Sequence, residues 1–136
     1  MNGCATLRIV LKGKVSTGTG EGKRFTELSW VKKAVKEKLG FELYPGTLNL
    51  VLPEKLRISD LLGKAEGYEI PAQKGYCSGR FFKALLMKSV FGALVRPDVP
   101  DYPDSVTEFV APVYLRETLN LEDGDEVEAD VWLKQD

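Results

Sequence analysis

Hydrophobic and polar residues alternate along several short segments of the chain, as they do in half-buried β-strands. The alternation is clearest near the two ends, in residues 6–15 and 126–133. Shorter segments of similar character are predicted to form the remaining strands, at residues 47–52, 66–71, 80–88, 91–95 and 107–112. Gly79 and Gly92 are predicted to mark turns or bulges beside these strands.

One segment has the periodicity of an amphipathic helix instead. Apolar side chains recur at helical spacing in residues 29–39, and charged side chains lie off that stripe. Ser29 is the predicted N-cap, and Gly40 is predicted to end the helix. Single helical turns are predicted at residues 58–62 and 114–119.

Together these elements predict a mainly β protein. About six short strands with two short helices favour a six-stranded β-barrel, which closes its own edges. The chain has 136 residues, so one domain over residues 1–136 is expected. Prolines and aspartates in residues 98–105 indicate a surface loop, and Asp123 with Gly124 indicates a turn before the last strand.

Composition narrows the classes of function. The formal net charge is −1, which argues against a general nucleic-acid binder. The two cysteines, Cys4 and Cys77, are too few and too far apart for a zinc site or a disulfide scaffold. No apolar run approaches the roughly 18 residues of a membrane span, and no signal peptide is recognised. A soluble cytoplasmic protein is therefore expected.

Histidine is absent from the sequence. This excludes Ser-His-Asp and Cys-His catalysis, together with histidine metal sites. Any chemistry must use carboxylates, amides, hydroxyls, lysine or arginine, with a hard metal held by oxygen ligands.

A glycine-rich segment, residues 18–24, is the first candidate site. Its glycines let backbone N–H groups converge on an anion, and Lys23 and Arg24 add positive charge. Residues 16–24 are predicted to lack regular structure because glycine favours irregular backbone. The segment is neither a Walker A loop, since Arg24 follows Lys23, nor a Rossmann fingerprint. The alternative is a flexible connection with no ligand.

Two polar residues on one strand face form the second candidate. Thr47 and Asn49 lie two apart, so their side chains point the same way while the neighbouring leucines face the core. A hydroxyl and an amide oxygen suit Mg²⁺, which proteins commonly hold through one or two groups shared with substrate phosphates. The alternative is a pair of solvent-facing polar residues.

The third candidate combines Glu108 with residues 114–117. A carboxylate beside a strand can orient or deprotonate a hydroxyl nucleophile, and Arg116 can hold a phosphate. The alternative is a surface ion pair at the start of a helix.

The chain resembles the archaeal CTP-dependent riboflavin kinases along nearly its whole length. Four segments in order carry this resemblance: GTGEGK, LGFELYPGTLNL, EFVAPVYLRE and LEDGD, at residues 18–23, 39–50, 108–117 and 121–125. The family implies a six-stranded barrel of the cradle-loop type. It also implies transfer of the γ-phosphoryl group of CTP to the 5′-hydroxyl of riboflavin, giving FMN and CDP.

The resemblance also implies roles for individual residues. Thr47 and Asn49 would hold Mg²⁺, and Glu108 would contact the flavin and serve as the candidate catalytic residue. The nucleotide would contact two groups: Gly18, Thr19, Gly20, Glu21, Gly22 and Lys23 in the loop, and Tyr114, Leu115, Arg116 and Glu117 after the sixth strand. Riboflavin, FMN, CTP and CDP are the expected partners, with no nucleic acid and no membrane.

One position departs from the family pattern. The family has a flavin-contacting threonine where this chain has Pro100, so the second flavin contact is unassigned, with Ser105 and Tyr102 as substitutes. Two other hypotheses remain open. One is a non-catalytic cradle-loop barrel that binds nucleic acid or regulates transcription, and the other is a flavin or nucleotide carrier without activity.

Overall fold

The structure is a computed structural model that describes residues 7–18, 21–73, 75–100 and 102–133, with only the backbone of residues 21–23. Its strands are β1 (Arg8–Ser16), β2 (Leu48–Val51), β3 (Tyr68–Ile70), β4 (Gly79–Leu86), β5 (Val90–Pro97), β6 (Val106–Val110) and β7 (Glu126–Trp132). Its helices are α1 (Glu21–Glu27), α2 (Ser29–Leu39), α3 (Ile58–Leu62) and α4 (Leu115–Thr118).

Six of the strands form a closed antiparallel barrel. Their order is β4-β5-β6-β2-β1-β7, and β7 pairs back with β4 to close it. The short strand β3 pairs with the first half of β4, on the edge that β7 occupies further along. The predicted mainly β, six-stranded barrel is therefore confirmed, with one extra strand outside it.

The barrel interior is filled by alternate residues of each strand. Leu48 and Leu50 of β2 are buried there with Phe109 of β6 and Val127 of β7. The predicted two-faced character of β2 is thus confirmed, although the strand begins one residue later than predicted, at Leu48.

A second apolar core lies outside the barrel. Helix α2 buries Val31 and Val35 against the outer face of β4, β5 and β6. The helix ends as predicted, because Gly40 adopts a φ of 82° and donates its N–H to the carbonyl of Lys36. The N-cap prediction was wrong by one residue: Leu28 occupies that position without a side-chain cap, since its side chain packs on this second core.

Two predictions based on glycine were wrong. Residues 16–24 are not irregular throughout, because α1 begins at Glu21 and packs Phe25 on the second core, which outweighs the low helix propensity of glycine. Gly92 lies inside β5, where a side-chain methyl group would overlap the carbonyl oxygen of Val110. Gly79 is the first residue of β4 and pairs in register with Pro97 of β5. The turn between these strands falls at residues 87–89 instead.

Candidate functional site

The barrel registers place the predicted metal residue beside the predicted catalytic residue. Asn49 of β2 pairs with Ser16 of β1 on one side and with Glu108 of β6 on the other. Residues paired directly across antiparallel strands point to the same face, with Cβ atoms about 5 Å apart. Because Leu48 and Leu50 face the interior, this row of three side chains faces outward. Glu108 is half-buried within it.

Thr47 and Asn49 lie in contact. The Thr47 hydroxyl donates to Oδ1 of Asn49 across 3.0 Å, and Asn49 is only 8% exposed. Two oxygens about 3 Å apart match adjacent corners of an octahedron with the 2.0–2.1 Å ligand distances of Mg²⁺. The pair therefore fits as part of a magnesium site. No group of three or more acidic, cysteine or histidine side chains suited to a metal is found in the described residues.

Gly18 borders the amide of Asn49. A methyl group built on Gly18 would overlap Nδ2 of Asn49 and lie 3.1 Å from its Cγ. Gly18 is thus required for space rather than for an unusual backbone angle. Of the other loop residues predicted to bind nucleotide, Thr19 and Gly20 lie outside the described residues. Glu21, Gly22 and Lys23 form the first turn of α1.

Arg116 reaches the beginning of the same loop. Its Nη2 donates to the carbonyl of Ser16 across 3.2 Å and to Oδ1 of Asp123 across 2.7 Å. The other carboxylate oxygen, Oδ2 of Asp123, accepts a hydrogen bond from the Thr17 hydroxyl across 2.8 Å. The hydrogen bond from Arg116, followed by that from Thr17, lowers the pKa of Asp123 below its ordinary value.

Asp123 was predicted only as a turn residue. Its side chain nevertheless links Thr17, which directly precedes the glycine-rich segment, with Arg116 of α4. The LEDGD segment was the sequence signal that pointed to this region. Sequence spacing could not reveal the link because Thr17 and Asp123 are 106 positions apart.

A small pocket lies where β2 and α4 meet. Its volume is ≈ 60 Å³, and its lining includes Thr47, Tyr114, Leu115 and Arg116. The rings of Tyr44 and Tyr114 stack at its side, with centroids 5.4 Å apart and an interplanar angle of 15°. Ligand pockets usually enclose about 300–1,000 Å³, so a whole nucleotide would extend onto the open surface.

The residues predicted on α4 differ in what they offer a ligand. Tyr114 is 46% exposed, and Glu117 is exposed as well. Leu115 packs its side chain in the barrel core, so only its backbone is accessible to a ligand. Arg116 is the cation of this group, and its side chain is 29% exposed.

The loop between β5 and β6 is held by polar contacts. Asp104 accepts hydrogen bonds from the hydroxyl and the N–H of Ser59 and from Nη2 of Arg96 across 2.9 Å. The hydrogen bond from the Ser59 hydroxyl is the largest cause of the lowered pKa of Asp104. The Arg96 guanidinium lies 4.8 Å from the ring centre of Tyr102. Tyr102, a predicted substitute for the missing threonine, is thus held against Arg96.

The fold and the site define a small antiparallel barrel with a row of three polar side chains, Ser16, Asn49 and Glu108, on its outer face. A family model labelled CTP-dep_RFKase and described as a domain of unknown function, DUF120, matches residues 15–131. The chain belongs to this family, which confirms the resemblance seen in the sequence.

Curated relatives named riboflavin kinase match most of the chain. The protein from Sulfurisphaera tokodaii is 39% identical over 129 residues, covering 90% of this chain and 95% of its own. That from Saccharolobus solfataricus is 36% identical over 131 residues, covering 92% and 75%. That from Pyrobaculum calidifontis is 41% identical over 130 residues, covering 92% of this chain but only 61% of its own. The chain therefore spans less than two thirds of the length of some of these relatives.

No helix in the described ranges is long and apolar enough to span a membrane.

Proposed function

We propose that this chain is a riboflavin kinase that uses CTP, transferring the γ-phosphoryl group to the 5′-hydroxyl of riboflavin and releasing FMN and CDP. The names of the archaeal relatives support the kinase activity, and the label of the matching family supports CTP as the donor. We further propose that the protein acts in the cytoplasm.

One observation carries the proposal. Asn49, already in contact with Thr47, is paired in register with Glu108 on the outer face of the barrel. A phosphate-bound metal and a carboxylate for the acceptor hydroxyl would then lie on neighbouring strands. Phosphoryl transfer requires mainly this kind of alignment and charge neutralisation, with little covalent chemistry from the protein.

The residues divide the work as follows. Glu108 orients the flavin 5′-hydroxyl and accepts its proton, while that oxygen bonds to the γ-phosphorus and the bond from the γ-phosphorus to the CDP oxygen breaks. Arg116 binds a nucleotide phosphate, and the glycine-rich segment approaches the phosphates closely. Mg²⁺ on Thr47 and Asn49 would neutralise phosphate charge.

The direct test combines the protein with riboflavin and either CTP or ATP, with and without Mg²⁺, and separates the flavins chromatographically. We expect FMN with CTP and Mg²⁺ and much less in the other mixtures. Absence of FMN in every mixture would contradict the kinase assignment. Equal turnover with ATP would contradict only the choice of donor.

The metal role can be tested with an isosteric pair of variants. Thr47→Val removes the hydroxyl that contacts Asn49, and we expect turnover to fall by about 10²-fold. Thr107→Val is the matched control, because Thr107 is 2% exposed and its hydroxyl donates a long, 3.4 Å hydrogen bond to the carbonyl of Leu50. Near-normal turnover of Thr47→Val would show that the Thr47 hydroxyl is not a metal ligand.

A further inference from the structure

The side chain of Asp123 joins two parts of the chain that are distant in sequence. One oxygen accepts from Arg116 on α4 across 2.7 Å, and the other accepts from Thr17, next to Gly18, across 2.8 Å. Arg116 belongs to the proposed nucleotide site, and Thr17 directly precedes the glycine-rich segment of that site. The carboxylate therefore connects the two halves of that site.

The turn that carries Asp123 does not depend on this side chain. Its backbone is joined to β1 by two hydrogen bonds, from Val15 N–H to the carbonyl of Asp125 and from Gly124 N–H to the carbonyl of Val15. The Asp125 carboxylate also accepts from the N–H of Glu122 across 2.8 Å. Asp123 is 57% exposed, and exposed ion pairs add little to folding stability. The contacts of Asp123 thus orient other side chains more than they hold the fold.

Arg116 is the side chain with most to gain from this orientation. Both of its hydrogen bonds in the described residues use Nη2, which leaves Nε and Nη1 for another acceptor. The residue also lines the pocket beside Thr47. A guanidinium fixed in advance loses less conformational entropy when it binds a phosphate.

Thr17 extends the same arrangement toward the metal pair. It precedes Gly18, whose backbone abuts the Asn49 amide so closely that a methyl group would overlap it. A hydrogen bond that fixes Thr17 therefore limits where Gly18 lies relative to Asn49.

We propose that Asp123 is a positioning residue for phosphate binding, whose two oxygens hold Arg116 and Thr17 in their binding arrangement before the nucleotide enters. The proposal rests on the proposed function for the identity of the nucleotide and for the phosphate-binding role of Arg116. Asp123 itself contacts the protein and acts on the ligand through Arg116 and Thr17.

The test compares ligands with and without phosphates. Calorimetry would measure binding of inorganic triphosphate, CDP and cytidine, in the presence of Mg²⁺, to the wild type and to Asp123→Ala. We expect triphosphate and CDP to bind about 10-fold more weakly to the variant and cytidine to bind equally well. Asp123→Glu should recover part of the loss.

Two further variants separate positioning from folding. In an Arg116→Ala background, Asp123→Ala should cause at most a small additional loss of triphosphate affinity, because its main target is gone. Asp125→Ala is the matched control in the same turn. It removes the hydrogen bond to Glu122 and should lower thermal stability without a loss confined to phosphorylated ligands.

Several results would overturn the proposal. These are unchanged or tighter triphosphate binding by Asp123→Ala, an equal loss for cytidine, the same selective loss in Asp125→Ala, or no triphosphate binding by the wild type. Failure of the proposed function would look different, since the selective loss would remain while no mixture of riboflavin and nucleotide gave FMN.

Discussion

The most direct test of the contacts between Gly18, Asn49 and Thr47 is the substitution Gly18→Ala. The new methyl group would overlap Nδ2 of Asn49, and its distance to Cγ would be 3.1 Å, below the roughly 3.5–4.0 Å of a relaxed carbon contact. Asn49 is only 8% exposed and has little room to retreat. The amide must therefore move by about 1 Å, which separates its Oδ1 from the Thr47 hydroxyl, now 3.0 Å away.

The size of the effect follows from this displacement. A shift of about 1 Å in a positioned group can cost about 10²-fold in rate, while overpacking costs about 1–3 kcal/mol of stability. We expect the rate of FMN formation from riboflavin and CTP to fall about 10²-fold. The Mg²⁺ concentration for half-maximal rate should rise. The assay is a magnesium titration of initial rates with folded protein, checked by its thermal transition.

Gly40→Ala provides the control of the same chemical type. Gly40 has a φ of 82°, and a Cβ added there would meet nothing within 4 Å, so alanine strains the backbone without touching the site. It should cost about 1 kcal/mol of stability and leave turnover intact. The reasoning is refuted if Gly18→Ala keeps wild-type turnover and magnesium dependence, or if Gly40→Ala loses turnover equally.

Three further predictions concern the fold. Asp104→Asn should lower stability at neutral pH by about 1–2 kcal/mol, because it weakens the contacts with Ser59 and Arg96. Because the pKa of Asp104 is lowered in the folded protein, this contribution to stability is complete above the ordinary pKa of 3.8 and is lost as the pH falls through the lower folded value. Urea unfolding between pH 7 and pH 2 should therefore show a shallower loss of stability with acid in the variant. An unchanged loss would contradict the prediction. In Lys88→Asn, asparagine can adopt the backbone φ of 55°, but the 2.7 Å ion pair to buried Asp130 is lost. The free energy of unfolding, measured by urea titration, should fall by about 1–3 kcal/mol. An unchanged free energy would show that the ion pair is not stabilising. Gly92→Ala pushes β5 from the backbone of β6 and should cost about 3 kcal/mol, measured in the same way, whereas a wild-type midpoint would contradict the close strand approach.

Much of the local structure was predictable because it depends on short-range periodicity. The leucines of β2 alternate with Thr47 and Asn49, so the two faces of that strand were defined by six consecutive residues. Gly40 likewise ends α2 where predicted, because a glycine that follows an apolar stripe is a local signal for the end of a helix. These features need no knowledge of distant contacts.

Other local predictions were wrong because tertiary packing decided them. Helix α1 forms through a glycine-rich segment because Phe25 and its neighbours are covered by the second core. Gly92 interrupts nothing in β5, and its missing side chain admits the Val110 carbonyl from β6. In both cases the structure around the glycine is determined by packing against residues that sequence spacing does not identify.

The sequence by itself determined the polar face of β2, the end of α2 and the membership of a family. Only the tertiary structure decided that Glu108 lies next to Asn49 and that Asp123 joins Thr17 to Arg116. The physical reason is that the alternation of residues within one strand sets the directions of its side chains. Which residues lie beside that strand is set instead by the register between strands and the closure of the barrel. The strand-face pattern that predicted a metal pair could therefore not show which residues complete the site.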